Sequence, residues 1–238
     1  MGDRRPTLSG MGKVKLRASD GHEFEALRVD PLGDPKGGVV VVQEIFGVNR
    51  HIQAVTARFA AAGYTAIAPA FFDRIESGLE LGYDKADVTR GRELVGKLEL
   101  SGVLADLDAA ASHLRAQPGL ADGPLDVVGY CWGGAVVWLA AARMEGIDRA
   151  VSYYGSRIVN YVDEGPRVPL MMHVGKDDAS FPIEKVHEIG ARYPRIEIHE
   201  YDAGHGFNCD HRGAFEPVAS ALALARSLEF FASGPAQE

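Results

Sequence analysis

The segment Gly38 to Gln43, built on the uninterrupted run Val39-Val40-Val41-Val42, constrains this chain more than any other. It is too short for a typical helix, has no polar alternation, and is β-branched at every position of the run. Such a stretch fits a strand covered on both faces, the kind found in parallel sheets flanked by helices. The pattern downstream agrees. Asn49 is a natural N-cap for a helix that runs to about Ala62 and stops at Gly63. Tyr64 to Ala68, Leu125 to Tyr130, Ala150 to Tyr154, Leu170 to Val174 and Ile196 to Tyr201 read as further strands. Helical patterns alternate with them: one long stretch from about Lys85 to Ala116, weakened by three glycines, then Trp132 to Met144, Ile183 to Tyr193 and Phe215 to Phe231. Upstream, Val14 to Ala18 and Phe24 to Val29 flank Ser19-Asp20-Gly21-His22 as a hairpin. The expectation is an α/β fold, a mainly parallel central sheet with an N-terminal antiparallel hairpin and helices on both faces.

No repeat or linker divides the chain. We expect residues 1–12 to form a loose leader and 13–238 a single domain. At 238 residues and 46% hydrophobic, the chain can bury one sizeable core. A net charge of -8 argues against nucleic acid or an anionic membrane surface as partner. No apolar run approaches the roughly 20 residues of a spanning helix. The arginines near the start are not followed by a hydrophobic stretch, so no secretion signal is read and a cytoplasmic location is expected. The two cysteines, Cys131 and Cys209, are too few for a disulfide scaffold, which leaves buried filler or a reactive thiol.

Cys131 stands in Gly129-Tyr130-Cys131-Trp132-Gly133, after a strand and before a helix. This is the nucleophile-elbow spacing with cysteine in place of serine. The tight turn needs glycine two places either side, and the helix N-terminus behind the sulfur favours a thiolate. A glycine-rich strand–helix turn around a small buried cysteine is the bland alternative. A nucleophile needs a base, and His205 lies between Gly204 and Gly206 after the last strand, with nothing apolar beside it. His211 is its one rival. An orienting carboxylate would come from Val174 to Pro182, where Asp177 and Asp178 both qualify. The order Cys, Asp, His is that of α/β hydrolases.

Together with Gln43-Glu44-Ile45-Phe46-Gly47-Val48-Asn49 and Ala203-Gly204-His205-Gly206-Phe207, the elbow resembles the dienelactone hydrolase (carboxymethylenebutenolidase) family over most of the chain. The resemblance implies an α/β-hydrolase fold and opening of an enol-lactone ring without metal or organic cofactor. It selects Asp178 by its distance from Gly175 and Pro182. It implies that Glu44 holds the resting thiol until substrate binds, and that the backbone amides of Ile45 and Trp132 form the oxyanion hole. It points to Arg74, in Pro69 to Arg74, as the grip on an anionic small-molecule substrate. A second family arginine falls where this chain has Cys209, with Arg212 three places later as a substitute, and Tyr83 borders the pocket. Cysteine suits such a substrate because an enolate leaves more readily than an ordinary alkoxide. The rivals are a hydrolase of another activated ester, lactone or thioester on the same residues, and a non-catalytic redox-sensing or binding protein using Cys131.

Overall fold

The valine run lies near the middle of the sheet. The computed structural model describes residues 10–233. Strands β1 (Gly10–Arg17) and β2 (Glu23–Asp30) form the expected antiparallel hairpin, with Gly10 opposite Asp30 and Arg17 opposite Glu23. Then follow β3 (Gly38–Val42), β4 (Thr65–Pro69), β5 (Leu125–Tyr130), β6 (Arg149–Tyr153), β7 (Leu170–Gly175) and β8 (Glu197–Tyr201). The strand order is β1-β2-β4-β3-β5-β6-β7-β8. β2 meets β4 antiparallel, and every pairing from β4 through β3 to β8 is parallel. β1 begins at Gly10, so residues 10–12 belong to the hairpin rather than to the expected leader; residues 1–9 and 234–238 lie outside the described residues.

Because strand side chains alternate, the valines divide between two cores. Val39 and Val41 pack with α1 (Arg50–Ala61) and α6 (Pro217–Ala232). Val40 and Val42 face the opposite layer, made of α2 (Lys85–Lys97), α3 (Leu100–Arg115), α4 (Trp132–Arg143) and α5 (Ile183–Arg192). All four are fully buried, each contributing roughly 1.5–3 kcal/mol relative to exposure.

The expected single helix from Lys85 to Ala116 is two helices. The chain is extended at Leu98 and Glu99, between α2 and α3. α3 packs on β3 and β4, whereas α2 lies against the loop after β3, where a Cβ on Gly91 would come within 2.2 Å of the Ile45 carbonyl oxygen. A straight helix could not serve both surfaces. Leu98 and Leu100, on either side of the break, both pack on the core. Among the described residues no helix is long and apolar enough to cross a membrane.

Candidate active site

The carboxyl ends of β3, β5, β6, β7 and β8 converge on one cleft, as parallel sheets direct. At its floor, Cys131 links β5 to α4 with φ 54° and ψ -115°. That left-handed backbone costs a β-carbon-bearing residue about 1–3 kcal/mol. The Cys131 N–H donates to the Tyr153 carbonyl at 3.0 Å, which anchors the turn to β6. A Cβ on Gly129 would stand 2.0 Å from the Gly133 carbonyl oxygen, and one on Gly133 would stand 2.5 Å from that of Gln43. The two glycines therefore let α4 close onto β5 and β3, and the thiol is raised at the helix N-terminus.

The sulfur meets an imidazole. His205 Nε2 lies 3.1 Å from Cys131 Sγ, and His205 Nδ1 lies 2.7 Å from Asp178 Oδ2. Asp178 is buried, while Asp177 beside it is exposed and uses its N–H to reach the Ala203 carbonyl. Ser180 adds a contact that the sequence did not announce: its N–H and Oγ both donate to Asp178 Oδ1, at 2.8 and 2.6 Å, and Oγ also lies 3.0 Å from His205 Nδ1. The Asp-x-Ser spacing is a local turn signature that could have pointed to it. Burial opposes a charge on His205, but the hydrogen bonds and charges of Asp178 and Cys131 outweigh it and push the imidazole up to about 10. Burial likewise raises Asp178, yet the contacts with His205 and Ser180 hold it below its ordinary value. His211 instead stacks on the Tyr83 ring.

The cleft has a volume of about 470 Å³. Ile45 and Trp132 line it beside Cys131. Trp132 opens α4, so its N–H has no acceptor one helical turn back and is free to meet an oxyanion. Three arginines line the same cleft: Arg92 from α2, Arg157 after β6 and Arg212 after β8. Arg92 and Arg157 were not foreseen, since they come from elements far apart in sequence; Gly91, which lets α2 approach Ile45, was the available clue.

Arg74 is a correction. It is not among the residues lining the cleft. Its Nε and Nη2 donate to the two oxygens of fully buried Asp106 at 2.7 Å, and its Nη1 donates to Asp20 at 2.8 Å. A guanidinium shared by two carboxylates is a brace between the hairpin turn and α3.

Glu44 is fully buried at the end of β3. Arg212 Nη1 lies 3.3 Å from its Oε1, and the Tyr83 hydroxyl lies 3.4 Å from its Oε2. Tyr83 does not line the cleft. It packs edge-on to Phe46, and the Arg212 guanidinium lies 5.9 Å from the centroids of both rings. Tyr83, Phe46 and Glu44 thus hold Arg212 in place. Next to Arg212, which contacts Glu44, one donor atom each from Glu44, His51 and Cys209 lie within 4.8 Å of one another, a grouping among the described residues that could hold a metal ion. A cleft of about 830 Å³ at the opposite end of the strands, lined by Pro124, Asp148 and Arg149, contains neither cysteine nor histidine among its lining residues.

The dienelactone hydrolase family model matches residues 24–234. The carboxymethylenebutenolidases of Pseudomonas putida and Pseudomonas knackmussii are each 34% identical over 229 residues, covering 92% of this chain and 95% of theirs. A crystal structure described as a "putative dienelactone hydrolase" from Klebsiella pneumoniae aligns with a TM-score of 0.81 at 31% identity, covering 95% of this chain and all of that one.

Proposed function

Since this chain belongs to the dienelactone hydrolase family, we propose that it opens an enol lactone bearing a carboxylate through a cysteine thioester. The observation that carries this reading is the line Cys131 Sγ, His205, Asp178, at 3.1 and 2.7 Å, in a cleft with three arginines. His205 takes the thiol proton, and its imidazolium is stabilised by Asp178. The thiolate attacks the lactone carbonyl, forming a C–S bond, and the oxyanion is met by the amides of Ile45 and Trp132. Collapse breaks the ring C–O bond and leaves an enolate-bearing thioester; the enolate takes its proton either from the His205 imidazolium, which frees His205 to act on water, or from the attacking water itself. Water, activated by the enolate or His205, then cleaves the thioester and restores the thiol. In the arrangement described the sulfur already faces the histidine. Glu44, the partner expected for the resting thiol, instead engages Arg212 and Tyr83.

Anchoring of the substrate carboxylate passes from Arg74 to Arg92, Arg157 and Arg212. A charge-assisted hydrogen bond contributes about 1.5–3 kcal/mol. Arg92→Ala and Arg157→Ala are therefore each expected to raise KM for a carboxylated enol lactone roughly tenfold or more, with little change for neutral p-nitrophenyl acetate. Arg74→Ala should leave the ratio of the two KM values alone. Equal losses on both substrates would remove the arginines from this role.

The pH profile tests the thiolate–imidazolium pair, in which His205 already holds the thiol proton and later gives it up as an acid. The His205 imidazolium, held up to about 10, is fully present below that value and is lost as pH rises through it, so kcat/KM should fall on an alkaline limb there. In Asp178→Asn the hydrogen bond and charge that raise His205 are weakened, and the limb should move to lower pH by about a unit or more. A limb that stays in place would assign it to another group.

A further inference from the structure

Cys209, His51 and Glu44 are all fully buried, and the reaction above uses neither Cys209 nor His51. One donor atom from each, a thiol sulfur, an imidazole nitrogen and a carboxylate oxygen, lie within 4.8 Å of the other two. A second observation stands apart from that grouping. The buried Nε2 of His51 has no hydrogen-bond partner, although an unsatisfied buried ring nitrogen is ordinarily costly. Its Nδ1 is engaged from the other side by Asp210 Oδ1 at 3.4 Å, and Asp210 is itself held by Arg58 at 3.3 Å. A carboxylate behind a histidine, with the opposite nitrogen unpartnered, is the arrangement that orients metal-ligating imidazoles.

The geometry points to a site for one thiophilic divalent cation of the zinc class, bound by Cys209 Sγ, His51 Nε2 and a Glu44 carboxylate oxygen next to Arg212. The donor set fits the ion. Sulfur, imidazole and carboxylate are all zinc ligands, and a thiolate disfavours magnesium or calcium. Around zinc, with bonds of about 2.0–2.3 Å, donors stand roughly 3.5 Å apart, so the three side chains would draw together by about 1 Å. On binding, the Cys209 thiol gives up its proton to solvent, and thiolate, neutral imidazole and carboxylate each donate one electron pair. Arg212, now 3.3 Å from Glu44, is the competing cation and gives way toward the cleft. The site does not depend on the hydrolytic reading, since two of its three ligands take no part in the reaction.

The test is zinc titration by calorimetry on the full chain and on Cys131→Ala, which removes the catalytic thiol as a rival ligand. One zinc per chain with micromolar or tighter affinity is expected in both. Cys209→Ser and His51→Gln in the Cys131→Ala background should each weaken binding at least tenfold. Cobalt in the same site should give a thiolate charge-transfer band that survives Cys131→Ala and disappears in Cys209→Ser. No saturable zinc binding in Cys131→Ala, or unchanged affinity in both ligand variants, would overturn the site. Should Cys209→Ser fail to fold by circular dichroism, His51→Gln decides, together with the presence or absence of the cobalt band in Cys131→Ala.

Discussion

Replacing Cys131 with alanine is expected to lower kcat by about 10⁴-fold or more on enol lactones and activated esters alike, because the step that forms the acyl-enzyme loses its nucleophile. The amides of Ile45 and Trp132 and the guanidinium groups remain, so a small residual rate over water and near-normal substrate binding should survive. The fold should survive too: alanine keeps a β-carbon on the same left-handed backbone, φ 54°, and removes one sulfur from a half-buried position. Cys131→Ser should retain a trace of activity, since an alcohol is much harder to deprotonate than a thiol. Labelling gives an independent check. Iodoacetamide should modify Cys131 in the parent chain and little else, because Cys209 is fully buried and its thiol is pushed up to about 11 by burial and by the charge of Glu44. Full esterase activity in Cys131→Ala would end the thioester mechanism, and labelling confined to Cys209 would move the reactive thiol elsewhere.

How much of this could be read from the sequence depended on the range of the physics involved. The valine run and the elbow are local. Which face a valine takes follows from strand alternation, and the glycines flanking Cys131 answer collisions with atoms a few residues away or on the adjoining strand. His205 was legible for a similar reason, since a histidine between two glycines has little to pack against. Asp178 was half legible: residue type allowed Asp177 as well, the family resemblance favoured Asp178 by spacing, and in the structure burial and the His205 contact set the two apart. Arg74 was misread because its partner, Asp106, lies 32 residues away on a helix whose packing the sequence did not define. The same break between α2 and α3 hid Arg92, which reaches the cleft only because α2 turns aside to meet the loop after β3. Guanidinium groups are long, and where they end is set by whichever buried carboxylate the fold brings near them.

The largest expected loss of stability is at Gly129, where the sequence pattern and the packing meet. In Gly129→Val the new Cβ would stand 2.0 Å from the Gly133 carbonyl oxygen, 2.4 Å from its carbon and 2.9 Å from Val137 Cγ1. The first two are backbone atoms of α4, so no rotamer change relieves them and the helix must move away from β5. α4 cannot do this freely: a Cβ on Gly134 would already lie 2.7 Å from the Gly155 Cα on its other side, and from Trp132 to Ala142 every residue of the helix is buried. Overpacking of this kind costs about 1–3 kcal/mol when side chains can adjust, and more when they cannot. About 4 kcal/mol is expected here, which for a chain of this length lowers the thermal midpoint by roughly 10 °C. Any protein that remains folded should also lose turnover, because displacing α4 carries Cys131 out of its 3.1 Å contact with His205. A melting scan and a kinetic assay on the same preparation read both effects. If Gly129→Val melted like the parent while keeping its activity, helix and strand would have room the structure denies them, and the elbow would not be what holds the sulfur above the sheet.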